Sequence, residues 1–420
     1  MKRLGLQRDQ RDIVRSALLL WLATRVAFVA VTYFAVLLQA PPPAVPSAGV
    51  TPGFLLGAWN RLDVQWYIAI AQHGYWAVQP TAFFPLYPIL LRAAAFLFFG
   101  HYLLAGMVVS NLGVLAACVG LGLLAAHDGK PEDAARAIRI ELAYPLAFFA
   151  LAAYADSLLL AFITFALYAA RTGKWRWAAA LALLAGLTRP TTLALLLPLL
   201  WEYGRQHGWW QQSRWQKAWQ TWRQWVSAWW ASVRTVGVRW TPLRADVGAA
   251  LEPVMVAGAV PVALAIYAAF CWLRFGDPLA FAHAQQYWGR VTVAPWTAIG
   301  LAASALTAHP LLSNDTARTL VDLAPAVLFL VLTLAAVRRM PVAYTLYMLG
   351  TLYFALGTPR PSFTFPFAAT GRYLLPAIPM FLLLARWSDR RPWLDFLLVG
   401  GGFALQAIFT AIFITRGAIL

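Results

Sequence analysis

Charged side chains are scarce in this sequence. Asp, Glu, Lys and Arg make up 12% of its 420 residues, and hydrophobic types make up 61%. A soluble globular chain carries about twice that charged share, so an ordinary water-facing surface is excluded for a chain otherwise long enough for one or two soluble domains. Cysteine is nearly absent. Cys118 and Cys271 each stand alone inside an apolar run, which excludes a disulfide framework and a cysteine metal site and leaves the redox compartment open. Acidic residues number 16 against 33 basic ones, for a formal net charge of +17. In a soluble protein that excess would suggest nucleic acid. Here the basic residues sit in short loops between apolar runs, where the positive-inside rule expects them, so nucleic acid is not an expected partner. The apolar runs lack the period-two alternation of barrel strands. There is also no internal repeat of the transporter kind.

What the chain does have is long apolar runs. Segments 16–39, 102–126 and 393–415 are each long enough for a helix to cross about 30 Å of hydrocarbon. The expected fold class is all-α, a polytopic transmembrane helical protein forming one domain over 1–420 with about eleven crossings. A basic cytoplasmic tail, 1–15, precedes a retained first helix. Helices are expected at 16–39, 103–126, 138–154, 157–170, 252–273, 319–337, 341–357, 373–385 and 393–415. A hairpin of two short helices is expected across 177–202, turning at Thr188-Arg189-Pro190, and 276–318 reads as a mixed segment. Most Lys and Arg residues then fall on the side of the N-terminal tail. Segment 40–101 becomes a long first extracytoplasmic loop, whose apolar run 89–100 is too short to span and is expected to lie along the interface or re-enter. Segment 203–250 is cytoplasmic. Its Trp215, Trp219, Trp222, Trp225 and Trp229 share about a third of a helical wheel, the pattern of an amphipathic interfacial anchor.

The outer side concentrates polar chemistry. Asp63 stands in Asp63-Val64-Gln65-Trp66-Tyr67, followed by Ile68-Ala69-Ile70-Ala71-Gln72-His73-Gly74-Tyr75 and then by Phe83-Phe84-Pro85-Leu86-Tyr87-Pro88. Asp156 sits in Tyr154-Ala155-Asp156-Ser157-Leu158, and Arg189 and Arg372 lie at expected outer helix ends. An ionisable residue at membrane depth is a functional candidate by default. Asp63-x-x-Trp-Tyr, with the Gly-Tyr and Phe-Phe-Pro blocks after it, resembles the signature of the PIG-V mannosyltransferase family, within the GT-C superfamily of membrane glycosyltransferases. The resemblance continues in order through Val109-Ser110-Asn111, Leu187-Thr188-Arg189-Pro190, Phe275-Gly276-Asp277-Pro278 and Gly371-Arg372-Tyr373-Leu374-Leu375-Pro376. The sequence departs from that family at Leu62, where Trp is usual, and at Asp156, where Glu is frequent.

The resemblance implies a GT-C-type fold and transfer of a sugar, with inversion, from a polyprenyl-phosphate donor to an acceptor hydroxyl on a lipid or glycan. The reaction would take place on the extracytoplasmic face, periplasmic or lumenal. The residue types suit that chemistry. A hydroxyl nucleophile needs a base within hydrogen-bond reach, the role assigned to Asp63. A departing phosphate gains charge that a fixed guanidinium can stabilise. Substrate-binding candidates are Asp156, Arg189, Arg372, Tyr373, His73, Trp66 and Tyr67, with His283 and Arg290 as further candidates beyond Asp277. No cofactor is expected to be required, and two carboxylates are a sparse ligand set, although Asp63 and Asp156 could together hold a divalent cation such as Mg²⁺ or Mn²⁺. The alternative is a transporter or flippase for a lipid-linked sugar, which predicts paired charges at the membrane midplane and broken, repeated helices. The sugar and the acceptor stay open.

Overall fold

The computed structural model describes residues 2–38, 50–209, 223, 247–310, 312–361 and 366–416. Its regular structure is helical, with no strand among the described residues. In chain order the helices are α1 (Lys2–Leu37), α2 (Pro52–Gly57), α3 (Asp63–His73), α4 (Leu86–Leu97), α5 (Tyr102–Asp128), α6 (Pro131–Leu142), α7 (Asp156–Arg171), α8 (Trp175–Gly186) and α9 (Leu196–Gln206). They continue with α10 (Val247–Phe275), α11 (Ala280–His283), α12 (Thr297–Ala308), α13 (Asn314–Ala336), α14 (Val342–Leu356), α15 (Thr370–Tyr373), α16 (Pro379–Ser388) and α17 (Pro392–Thr415). Among the described residues, five helices are long and apolar enough to cross a membrane: Gln10–Leu37 within α1, α5, Leu251–Phe275 within α10, α13 and α17. The tryptophan-rich stretch from 210 to 246, Arg223 excepted, lies outside the described residues, and so does the proline-rich start of the first loop, 39–49.

Several boundaries differ from expectation, each for a local reason. The basic tail is no separate segment, because α1 runs unbroken from Lys2. Its Lys, Arg, Gln and Leu residues favour helix even where the pattern is polar. The helix expected over 138–154 is interrupted: α6 ends at Leu142, and a 3₁₀ turn, Ala147–Ala150, follows. Pro145 lacks an N–H and disfavours the α region at Tyr144. The helix expected over 373–385 divides into α15 and α16, with Pro376 and Pro379 at the break. The mixed segment contains α11, α12 and the first residues of α13. The 177–202 segment is a hairpin as its sequence suggests. Trp175, opening α8, packs edge-on against Tyr203 near the end of α9, with ring centroids 4.9 Å apart, so the turn around Arg189 lies at the far end.

The packing centre is α5 against α7, with α8 and α10 continuing the row and α1 lying against both α5 and α17. Gly106, Gly113 and Gly120 recur every seven residues along α5. A Cβ added to them would meet Ala153 at 2.8 Å, the backbone of Ser157 at 3.0 Å and Thr164 at 3.0 Å. Small residues at this spacing let two backbones approach closely, the main source of helix association where no hydrophobic drive exists between helices.

Polar side chains gather at the two ends of α7. At its C-terminal end Arg171 donates to Asp128 at 2.9–3.1 Å and to Glu202 at 3.0 Å, Tyr344 donates to Asp128, and Arg386 donates to the Asp128 carbonyl at 2.7 Å. This clamp joins α5, α7, α9, α14 and α16. At the N-terminal end of α7, roughly 22 Å away at 1.5 Å per residue, stands Asp156 with a second and different set of charges.

Candidate active site

Asp63 is the first residue of α3. The chain enters that helix through Leu62, whose φ of 50° is unusual for a residue with a side chain. The turn is held from both sides. Trp59, buried, packs on Phe28 of α1 and Phe413 of α17, and Arg61 donates to the carbonyl of Ile414 at 3.2 Å. One turn further along, Tyr67 is buried among Tyr87, Phe83 and Tyr154. The far end of the loop is pinned as well: Tyr75 and Tyr267 donate to the carbonyls of Phe83 and Thr81 at 2.7 and 2.8 Å, and the N–H of Leu86 donates to Leu187 at 3.1 Å.

Asp156 opens α7. Its backbone position is set by the Val109-Ser110-Asn111 motif. Ser110 donates to the carbonyl of Tyr154 at 3.1 Å and Asn111 to that of Leu151 at 3.2 Å, while Tyr87 approaches Ser110 at 2.9 Å. Asp156 is the first helical residue, Ala155 holds the cap position, and no side chain caps the helix. The Asp156 carboxylate turns instead to Arg189, accepting from it at 3.0 Å. Arg189 has extended backbone, as expected before Pro190.

Arg372 joins the two carboxylates. It donates to Asp63 at 2.9 Å, and its Nε lies 3.9 Å from Asp156 Oδ2. Its guanidinium sits over Tyr154 at 5.0 Å, Tyr373 at 5.2 Å and Phe149 at 5.3 Å, distances at which ring faces attract a cation. The backbone that carries it is clamped one residue earlier. The Gly371 N–H donates to Asp322 at 3.3 Å, and the Gly371 carbonyl accepts from Tyr144 at 2.7 Å. A Cβ on Gly371 would lie 2.5 Å from the Leu146 side chain, which would have to move aside.

The structure thus brings Asp63, Asp156, Arg189, Arg372 and Tyr373 into one cluster, with Tyr67 beneath it. Exposure separates the two carboxylates: the Asp156 side chain is 1% exposed and that of Asp63 is 24%. Three of the sequence candidates, His73, Trp66 and His283, lie elsewhere. His73 is exposed at the other end of α3, about 15 Å along the helix. Trp66 belongs to a neighbouring aromatic group, stacked on Trp76 and Phe83 and edge-on to Trp288 at 5.2 Å. His283 pairs with Asp277 at 2.7 Å on an exposed stretch. Asp322 and Tyr144, which orient the Arg372 segment, were not among the sequence candidates. Asp322 had a visible signal, an acid inside the apolar run of α13; Tyr144 had none.

Several atoms in the cluster lack a hydrogen-bond partner: Asp156 Oδ1, Arg372 Nε and Asp322 Oδ2. Buried polar atoms left this way mark places where a ligand or water completes the set. No group of three or more His, Cys, Asp or Glu able to hold a metal occurs among the described residues. Asp63 and Asp156, the pair suggested for Mg²⁺ or Mn²⁺, both face guanidiniums, which a cation would have to displace. Chemically, the cluster offers one accessible carboxylate and two fixed guanidiniums beside it. No protein-family model matches the chain, and no curated protein matches it.

Proposed function

We propose that this protein is an inverting membrane glycosyltransferase, in the first instance a mannosyltransferase, that moves a sugar from a polyprenyl-phosphate donor to an acceptor hydroxyl on a lipid or glycan. The observation that carries the reading is the cluster in which Arg372 bridges Asp63 and Asp156 while Arg189 holds Asp156. An accessible carboxylate next to buried guanidiniums is what base-assisted attack with loss of a phosphate needs.

In this reading Asp63 accepts the proton of the acceptor hydroxyl as its oxygen bonds to the anomeric carbon. The bond from that carbon to the phosphate oxygen breaks, and the electron pair leaves with the phosphate. Arg372 and Arg189 stabilise the charge that develops on it. Without ligand, Arg372 donates to Asp63 Oδ2, so that oxygen is already occupied. A phosphate that draws Arg372 to itself releases Asp63, so donor binding precedes proton transfer.

The proposed setting is a chain of about eleven crossings with its N-terminus in the cytoplasm and the cluster on the extracytoplasmic side. The lysine and arginine distribution supports this orientation. The test is purified protein in lipid nanodiscs supplied with polyprenyl-phosphate mannose and extracted membrane lipids or glycans. Mannosylated product and free polyprenyl phosphate are expected in equal amounts. Movement of the intact donor across the bilayer without product would assign the protein to transport instead.

A further inference from the structure

Three guanidiniums surround the ring of Tyr373, at 5.0 Å for Arg290, 5.2 Å for Arg372 and 5.3 Å for Arg189. Two of them are matched by carboxylates, Arg189 by Asp156 and Arg372 by Asp63. Arg290 has no carboxylate within ion-pair distance among the described residues. Its two Nη groups donate instead to the carbonyls of Thr358 at 2.9 Å and Ala368 at 3.1 Å. Neutral acceptors fix the guanidinium without cancelling its charge, and they use two of its five N–H groups. Arg290 is thus a half-buried guanidinium with no direct carboxylate partner, opposed only from beyond ion-pair distance by the buried carboxyl of Asp322, and its remaining N–H groups can take an anion. The buried, unpartnered Nε of Arg372 is a second unused donor in the same cluster.

Arg290 is mounted rigidly. Gly289, at φ +66°, ends a 3₁₀ turn, Ala284–Trp288, and reverses the chain. The strand-like stretch that follows is cross-braced to the end of α14, with Val291 donating to Pro359 at 3.1 Å and Val293 to Gly357 at 2.9 Å. Arg360 donates to the Trp288 carbonyl at 2.7 Å. Arg372 touches both Asp63 and the Tyr373 ring, and Arg290 lies against the same ring. Displacement with inversion requires base and leaving group on opposite faces of the anomeric carbon, so the group that holds the phosphate must be one other than Asp63 and its immediate partner.

We infer that Arg290 takes the phosphate of the lipid-linked donor, with Tyr373 as the ring that seats its guanidinium beside those of Arg372 and Arg189. This rests on the transferase reading above. Arg372, which contacts both Asp63 and the Tyr373 ring, can then follow the negative charge from Asp63 to the departing phosphate.

The test measures binding rather than turnover. Purified full-length protein in nanodiscs is titrated with radiolabelled polyprenyl monophosphate, with the neutral polyprenol as the control for partition into the bilayer. The wild type is expected to retain the phosphate lipid above the polyprenol baseline. Arg290→Ala and Arg290→Gln should each weaken that binding by about tenfold or more, the scale of a lost charged hydrogen bond. Arg290→Lys should recover part of it, because the charge returns without the fork. The glutamine variant can still donate to a backbone carbonyl and guards against simple loss of fold. His283→Ala, on the exposed stretch nearby, should bind as the wild type does. Undiminished binding in both Arg290→Ala and Arg290→Gln would overturn this assignment and leave the transferase reading standing. A wild type that does not distinguish polyprenyl phosphate from polyprenol would overturn both.

Discussion

Leu62 and Ala369 are held at φ values of 50° and 70°, and they flank the two partners of one ion pair, Asp63 and Arg372. A residue with a Cβ in that region costs about 1–3 kcal/mol and persists only where the surroundings over-determine it. For Leu62 the surroundings are the buried Trp59 and the Arg61 bond to Ile414. Its own side chain is exposed, so little packing is lost on replacement. Leu62→Gly is therefore expected to leave the melting temperature unchanged or raise it, while turnover falls because Asp63 gains freedom. A clearly lower melting temperature would show that the conformation carries no strain. At Arg372 the guanidinium meets two carboxylates and three rings at once, a set of contacts that an ammonium cannot reproduce. Arg372→Ala is expected to raise the donor concentration needed for half-maximal rate and to slow phosphate departure, with Arg372→Lys intermediate. Unchanged turnover of Arg372→Ala at low donor concentration would remove this residue from the site.

Among the elements, α7 ties the packing to the chemistry, because it begins at Asp156 and lies on the glycine seam of α5. A Cβ at Gly113 would press on the backbone of Ser157 and Leu158, which cannot rotate away as a side chain can. Gly113→Val is expected to cost about 1–3 kcal/mol of stability, the usual range for overpacking. It should also lower turnover per folded molecule, since Asp156 moves with its helix. Gly258→Val on α10, where the nearest atom is Val262 at 3.9 Å, serves as the control and should change neither by as much. Equal behaviour of the two variants would mean that the seam does not position the site. The same elements show where sequence reasoning was sufficient. Long, predominantly apolar runs gave α5, α10, α13 and α17 to within a few residues, because a stretch of about twenty mostly apolar residues leaves few alternatives. Apolarity alone carried 138–154 and 373–385 too far: Pro145 follows the end of α6, and Pro376 lies between α15 and α16, which Pro379 opens. The short α12 lies within the stretch expected as mixed, although Pro295 and Pro310 bracket its twelve alanine-rich residues.

At the scale of the whole molecule, polar side chains lie at two levels separated by the length of α7, with apolar packing between them. The Asp128–Arg171–Glu202 clamp stands at one level and the Asp63–Arg372–Asp156–Arg189 cluster at the other. The cluster's members were legible because charges are rare in this chain and each stood in a short motif, Asp63 in the first extracytoplasmic loop and the others near expected helix ends. Their pairing was not legible: 309 residues separate Asp63 from Arg372, and nothing local in either motif names the other. The Gly371 clamp by Asp322 and Tyr144 was hidden for the same reason. The orientation is open to direct test. Single cysteines introduced at Gln65 and at Lys130, in a background lacking Cys118 and Cys271, should react with an impermeant thiol reagent from opposite faces of the membrane, position 65 from the extracytoplasmic one. Labelling of position 65 from the cytoplasm would contradict the proposed topology.

The central claim is that Asp63 is the base, and one measurement tests it most directly. Asp63→Asn keeps the shape of the side chain and removes its basicity. Turnover with a polyprenyl-phosphate sugar and melting temperature are measured on the same purified preparation. The account predicts a melting temperature near that of the wild type and a rate lower by roughly 10²–10⁴, the range typical of a general base. A well-folded Asp63→Asn protein with near-normal turnover would contradict the account and move the search for the base to Asp156.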